Sequence, residues 1–182
     1  MSTDLWPTFG RDTPDAAWRP SAELLADSRL ARFLRATGET DLEALQARAS
    51  ADPAWFWGTA EADLELHWQR PYGEVMDLSA GPEWSRWWAG GAFNYAAATV
   101  DTRAARHPDG HALTWEGEDG EVRRFNNAAL KAEVDRAAGM LINEGVKGGD
   151  RVGILLPLLP ETVIAVLALG RLGAIYTPIF SG

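Results

Sequence analysis

The strongest constraint on folding lies at the end of the chain, which reads as strand, buried helix and second strand. Gly148-Gly149-Asp150-Arg151 leads into Val152-Gly153-Ile154-Leu155-Leu156, and Pro157 and Pro160-Glu161 follow. An apolar helix comes next, then a strand over residues 174–179, and the chain closes on Phe180-Ser181-Gly182. Strands joined by a helical crossover run parallel, and a parallel sheet needs both faces covered and its edges paired. Too little chain follows to build such a sheet. The expectation is an incomplete α/β sheet domain of which this is the first βαβ part, and hence a piece of something larger.

Composition narrows the function. Hydrophobic residues make up 46% of the 182 residues and charged ones 24%, a balance that supports a folded core rather than disorder. A net charge of −9 opposes a nucleic-acid partner, which needs a basic stripe, and docking on an acidic membrane surface. Without cysteine there is no disulfide, thiolate metal site or thiol nucleophile. His67, His107 and His111 are spaced unlike any zinc pattern, so no metal site is expected. Residues 1–20 lack a basic stretch followed by an apolar core, so no signal peptide is expected. Pro157, Pro160, Glu161, Arg171 and Pro178 interrupt the apolar stretch 152–180, leaving no run of about 18 apolar residues to cross a membrane. A cytoplasmic location is expected.

Along the chain, residues 1–19 are rich in Pro and Asp and read as an extended arm. Ser21 can cap a helix through Ala36, and Asp41 or Thr40 a shorter one carrying Leu42 and Leu45. Asp52-Pro53 has the N-cap plus N1-proline pattern for a third helix bearing Trp55, Phe56, Leu64 and Leu66, ended by Arg70-Pro71. Residues 71–93 read as irregular and aromatic, with a sharp turn at Gly90-Gly91.

Asn94 then opens a helix to Arg106, broken at His107-Pro108-Asp109-Gly110. Residues 112–116 and 121–125 flank Gly117-Glu118-Asp119-Gly120 as a hairpin. Asn126 caps a helix in which Leu130, Val134, Ala137, Ala138 and Leu141 recur at helical spacing, with Gly145 as its left-handed end. The apolar helix from Pro160 to Gly173 has almost no polar face and reads as sandwiched. The composition shift near residue 92 divides the chain into a Trp-rich helical extension, 1–92, and the first part of an α/β domain, 93–182.

Several segments, in order, resemble the N-terminal part of the adenylate-forming acyl-CoA synthetases, on the acetyl-CoA synthetase side of that family. Trp55-Phe56-Trp57 and Trp68 through Pro71-Tyr72 are similar to its Phe-Trp and Trp-x-x-Pro-Phe segments. Trp88, Gly90, Gly91 and Asn94 are similar to its Trp-Phe-x-Gly-Gly-x-Asn stretch, and the hairpin at Trp115-Glu116-Gly117 to its own. Gly149-Asp150-Arg151-Val152, Pro157, Pro160-Glu161, Leu167-Ala168, Arg171 and Gly173-Ala174 match its first βαβ unit. Two places depart. Asn126-Asn127-Ala128-Ala129 stands where the family has Thr-Tyr-x-Glu, so the reciprocal half of a capping box is missing. Asp101-Thr102-Arg103 stands in place of Asp-Arg-His.

The resemblance implies a two-step ligase. A carboxylate attacks the α-phosphate of ATP to give an acyl-adenylate and pyrophosphate, and CoA then displaces AMP to form a thioester. Such chemistry needs Mg²⁺, backbone donors and a lysine around the phosphates. The family's Ser/Thr/Gly-rich phosphate loop and Thr-Gly-Asp motif are absent here, and the only lysines are Lys131 and Lys147. No catalytic residue is therefore expected in this chain, and neither ATP, Mg²⁺ nor CoA is expected to bind it alone. Its expected partners are the remainder of the parent enzyme and, through it, a carboxylic acid; self-association through exposed apolar surface is also expected.

The resemblance does offer one cofactor-binding candidate. Phe180, Ser181 and Gly182 fall where the family has Phe-Gly-Gly, a backbone segment beside the CoA nucleotide. Other sharp motifs have plainer readings. Gly148-Gly149-Asp150 precedes a strand, whereas phosphate cradles follow one, so it reads as a turn ordered by the Asp150 carboxylate. Tyr72-Gly73-Glu74 lacks the Thr-Glu of an adenine-side motif. His107 and His111 read as solvated loop residues. The nine Trp read as packing anchors rather than a stacking cage. A second function class stays open, that of a non-catalytic Trp-rich interaction or self-association module.

Overall fold

The structure, a computed structural model, describes residues 18–179, so the arm expected at residues 1–19 lies outside the description except for Trp18 and Arg19. Two compact units emerge. One is built from the chain up to Leu66 together with Tyr72–Gly90, the other from His67–Pro71 together with the chain from Gly91 onward.

In the first unit, side-chain caps set the helices. Ser21 Oγ accepts from the Leu24 N–H at 3.1 Å to start α1 (Ala22–Asp27). The single helix expected through Ala36 is in fact two: Ser28 is extended, at φ −62° and ψ 152°, and its Oγ accepts from Ala31 N–H to start α2 (Arg29–Thr37). A serine offers the backbone a rival to the helical bond, and here the rival wins. Gly38, at φ 74°, ends α2. Asp41 caps α3 (Leu42–Ala51), and Asp52 caps α4 (Pro53–Asp63) with Pro53 in the first turn. α4 stops short of the expected Leu66, because Glu65 turns left-handed at φ 52°.

Residues 71–93, expected to be irregular, hold a hairpin. β1 (Glu74–Asp77) pairs antiparallel with β2 (Arg86–Ala89), Met76 opposite Trp87. Asp77 fastens it: one carboxylate oxygen accepts from Ser79 N–H at 2.8 Å, the other from Arg86 Nε at 3.0 Å. These partners hold the Asp77 carboxyl far below its ordinary value, Arg86 contributing most. Around the hairpin run edge-to-face rings, Phe33 to Phe56 at 6.1 Å, Phe56 to Trp57 at 5.2 Å, and Trp57 to Trp87 and Trp88 at 6.2 and 6.4 Å. Such rings add about 0.5–1.5 kcal/mol per pair beyond burial. Leu34, Leu45 and Asp77 are the buried residues among those described in this unit.

The second unit is the α/β part. Gln69 and Arg70 bond the backbone of Ala92, and Trp68 stacks at a tilt on Phe93, 5.5 Å away. Asn94 Oδ1 accepts from Ala97 N–H to open a helix whose first turns are π-helical over Ala97–Asp101, continuing as α5 (Thr102–Arg106). β3 (His111–Glu116) and β4 (Val122–Asn126) form the expected antiparallel hairpin. Asn126 caps α6 (Asn127–Asn143) through a 2.7 Å bond from Ala129 N–H, so the cap holds without the missing carboxylate. Gly145, at φ 87°, ends it.

β5 (Arg151–Ile154), α7 (Pro160–Leu172) and β6 (Ile175–Pro178) form the βαβ unit, with β5 and β6 parallel and Ile154 paired to Pro178. Leu130, Val134 and Ala138 of α6 pack on Ile164 and Ala168 of α7 as one aliphatic core, and Leu169 packs with Ile154 and Ala174 as another. Full burial of such side chains contributes about 1.5–3 kcal/mol each. α7 also receives the chain from the aromatic turn: Asn94 Nδ2 donates to the carbonyls of Gly170 and Arg171, and Tyr95 Oη to that of Val166 at 2.8 Å. A Cβ on Gly170 would overlap the Tyr95 ring, which is why a glycine serves in mid-helix there. The fold is α/β. Among the described residues no third strand pairs with β5 or β6, and all four residues of β6 are exposed.

Candidate functional site

Both parallel strands point their carboxyl ends into a groove of about 680 Å³. In open α/β sheets this end is where ligands bind. Ile154 closes β5, Pro178 and Ile179 close β6, and Leu156, Pro157, Leu158 and Leu159 form a lip between β5 and α7. The lip is held locally by Leu159 N–H and Thr162 Oγ1, which both donate to the Pro157 carbonyl at 2.8 and 2.7 Å. Ile179 N–H donates to the Ile154 carbonyl at 2.9 Å, extending the parallel ladder to the groove's floor.

The hairpin forms the facing wall. Trp115 lies directly across the ladder from Arg123. Its indole Nε1 donates to the Leu158 carbonyl at 2.6 Å. Arg123 makes a two-pronged pair with Glu161 in the first turn of α7, at 2.6 and 3.2 Å. That pairing holds the Glu161 carboxyl below its ordinary value and raises the Arg123 guanidinium. Beside it, a second groove of about 450 Å³ is lined by apolar residues of α6 and α7 and by Arg123, Glu133, Arg136, Glu144 and Glu161.

The remaining candidates take structural places. Asp150 Oδ2 accepts from Lys147 N–H at 3.0 Å and Asp150 N–H donates to the Lys147 carbonyl, so the carboxylate does order that turn. His111 begins β3 rather than lying in a loop, its Nε2 2.7 Å from Thr114 Oγ1. Tyr72 Oη donates to Glu61 at 2.6 Å, and Trp88 Nε1 donates to the same oxygen. Lys131 joins Asp101, Asp135 and Arg171 in a four-charge cluster that ties the π turn, α6 and α7 together. Asp101, which the family shares, thus anchors the Arg171 that also matches the family, while the departures fall on the next two residues, Thr102 and Arg103. Among the described residues no three His, Asp or Glu converge as a metal site, and no helix is long and apolar enough to cross a membrane.

Comparisons with known proteins bear on the same stretch. The family model described as "Acetyl-coenzyme A synthetase N-terminus" matches residues 42–98, and the one described as "AMP-binding enzyme" matches residues 100–182. The two abut near the composition shift. The chain belongs to the AMP-binding acyl-CoA synthetase family, as part of its N-terminal region.

Within this family, the acetyl-coenzyme A synthetase of Deinococcus radiodurans is 38% identical over 164 residues, covering 90% of this chain and 24% of that protein. That of Gemmatimonas aurantiaca is 42% identical over 144 residues, covering 76% and 21%. Among solved structures, acetoacetyl-CoA synthetase from Streptomyces lividans superposes with a TM-score of 0.79 at 28% identity, over 91% of this chain and 26% of that one. The chain therefore spans about a quarter or less of the length of the relatives it matches. These matches favour the ligase reading over a stand-alone interaction module.

The groove does not by itself fit the phosphates of ATP or CoA. Its charged lining residues are Glu116 and Glu118, and no lysine or arginine lines it. Phe180, Ser181 and Gly182 lie just past the described residues. Sequence reading placed the candidate at the end of the second strand and missed the opposite wall. The sequence marks Trp115 and Arg123 only as hairpin residues, and their places on either side of the tight turn are the signal that they pair across it.

Proposed function

We propose that this chain acts as the N-terminal portion of a carboxylate–CoA ligase, which forms an acyl-adenylate from ATP and then a CoA thioester, and that it is inactive alone. The observation that carries the reading is the pair of consecutive family matches over residues 42–98 and 100–182. The acidic, apolar groove supports the second half of it, since developing charge on phosphate oxygens needs cationic partners that the groove lacks.

In this reading residues 1–92 are the extension and residues 93–182 begin the adenylating domain. The rest of the parent enzyme is the chief partner and covers the exposed β6. It also supplies the basic and backbone groups for ATP and CoA, and Mg²⁺ serves there to offset phosphate charge. Phe180, Ser181 and Gly182 then stand beside the CoA nucleotide, on the pattern of the family. The protein works in the cytoplasm, with neither nucleic acid nor membrane as partner. The relatives' names give the acyl group as acetyl in the sequence relatives and acetoacetyl in the structural one.

The test compares residues 1–182 with the polypeptide extended by the reading frame after Gly182. Carboxylate-dependent exchange of pyrophosphate into ATP is expected from the extended protein and not from the chain alone. Exchange by the chain alone would overturn the reading.

A further inference from the structure

The outer edge of β6 is missing one of its donors. The Ile175 and Ile179 amides donate to the carbonyls of Asp150 and Ile154, at 2.7 and 2.9 Å, so these residues turn their N–H groups toward β5. In a parallel ladder the residues that alternate with them turn the other way. Tyr176 and Pro178 therefore face outward, where among the described residues no strand lies. Tyr176 offers that edge a donor and an acceptor. Pro178 has no N–H and offers only its carbonyl.

The side chains give this edge something to guard against. Ile154, the ladder partner of Pro178, packs with Leu169 of α7, so Tyr176 and Pro178 lie on the covered face of the sheet. Ile175 and Ile179 lie on the opposite face, where the Ile179 side chain reaches over Gly153: a Cβ on that glycine would stand 3.0 Å from Ile179 Cδ1. These two isoleucines are 55% and 50% exposed. A strand with a bare edge and an apolar face is a template for another like it.

Two copies of β6 can meet antiparallel about a two-fold axis in two ways. With Tyr176 opposite Pro178, each pair keeps one of its two bonds. With Tyr176 opposite Tyr176, that pair keeps both, but Pro178 opposite Ala174 keeps none, because the Ala174 N–H is already given to the Leu169 carbonyl. Either register closes with two bonds, and an N–H at position 178 would make it four.

We propose that Pro178 guards the outer edge of β6 against pairing with the β6 of a second copy of this chain. A partner strand without a proline forfeits one bond along Tyr176 and Pro178, whereas a second β6 forfeits two. The edge therefore discriminates by sequence rather than refusing every strand. Self-association through apolar surface is left to other parts of the molecule. The guard does not depend on the proposed function.

Sedimentation velocity on the 182-residue chain, run over a concentration series, compares wild type with Pro178→Thr. The threonine supplies the missing N–H. The two regained ladder bonds are expected to produce a dimer at a concentration about tenfold lower than any at which wild type associates. Within that dimer the Tyr176 amide should become protected from hydrogen exchange. Equal association of the two proteins would overturn the proposal. So would species of Pro178→Thr that grow beyond a dimer, since they would place the contact at the outer edge of β5 instead of on a two-fold axis. Wild type gives a second readout that needs no substitution to fold. Its Tyr176 amide should exchange fast, and equally fast at every concentration, while the Ile175 amide bonded to Asp150 exchanges slowly. Protection of wild-type Tyr176 that rises with concentration would overturn the guard. Pyrophosphate exchange, which decides the ligase reading, enters neither measurement.

Discussion

The two units solve the same problem with different materials. The α/β unit buries aliphatic side chains: Val134 and Ala168 are fully buried and Leu169 is 1% exposed. The first unit buries few, and relies on ring edges, caps and one fastened carboxylate. Close-packed aliphatic cores tolerate little loss of volume, whereas ring clusters open to water on one side spread their energy over many weak contacts. The lesson is that damage should be local and steep in one unit, and shallow and distributed in the other.

The largest effect is expected from Leu169→Ala. Removing a buried leucine costs about 2–5 kcal/mol, so thermal unfolding followed by circular dichroism should show the α/β unit melting far earlier. A shift no larger than that of a surface substitution would break the contrast. Trp57→Ala comes next. It deletes the ring contacts to Phe56, Trp87 and Trp88, and at about 0.5–1.5 kcal/mol per ring pair the total should be about 2 kcal/mol in chemical denaturation. A loss as large as that of Leu169→Ala would show that the rings form a true core.

The smallest effect concerns acid. The Asp77 carboxyl is held below its ordinary 3.8 by Arg86 and the Ser79 N–H. A depressed folded value stabilises the fold above the unfolded value and is lost as the pH falls through it. The first unit should therefore weaken below about pH 4, and Asp77→Asn should be less stable than wild type at pH 7 but converge with it in acid. Parallel pH curves for the two proteins would remove Asp77 as a fastener. Glu161, lowered from its ordinary 4.5 by Arg123, has the same sign at a more exposed place, where the contribution is about 0–1 kcal/mol.

The same contrast decides what could be read in advance. In the α/β unit the helices follow apolar spacing, and Asn126, Pro160, Gly145 and Gly173 mark their ends by chemistry that acts within a few residues. Those elements stand where the sequence put them. In the first unit Ser28 splits a continuous apolar stripe, and Glu65 ends a helix at a left-handed turn that no glycine advertises. The four-residue strands of the β1–β2 hairpin carry no apolar–polar alternation, because Asp77 is buried and Arg86 is exposed for each other's sake. At the groove, the strand ends were legible and the lip's hold on the hairpin was not, since Leu158 lies 43 residues from Trp115.

The central proposal is that this chain carries the family's N-terminal architecture and that the groups binding the nucleotide belong to the rest of the parent enzyme. Calorimetric titration of residues 1–182 with Mg·ATP tests it most directly. No heat of binding is expected up to millimolar nucleotide, and saturable micromolar binding would contradict the account.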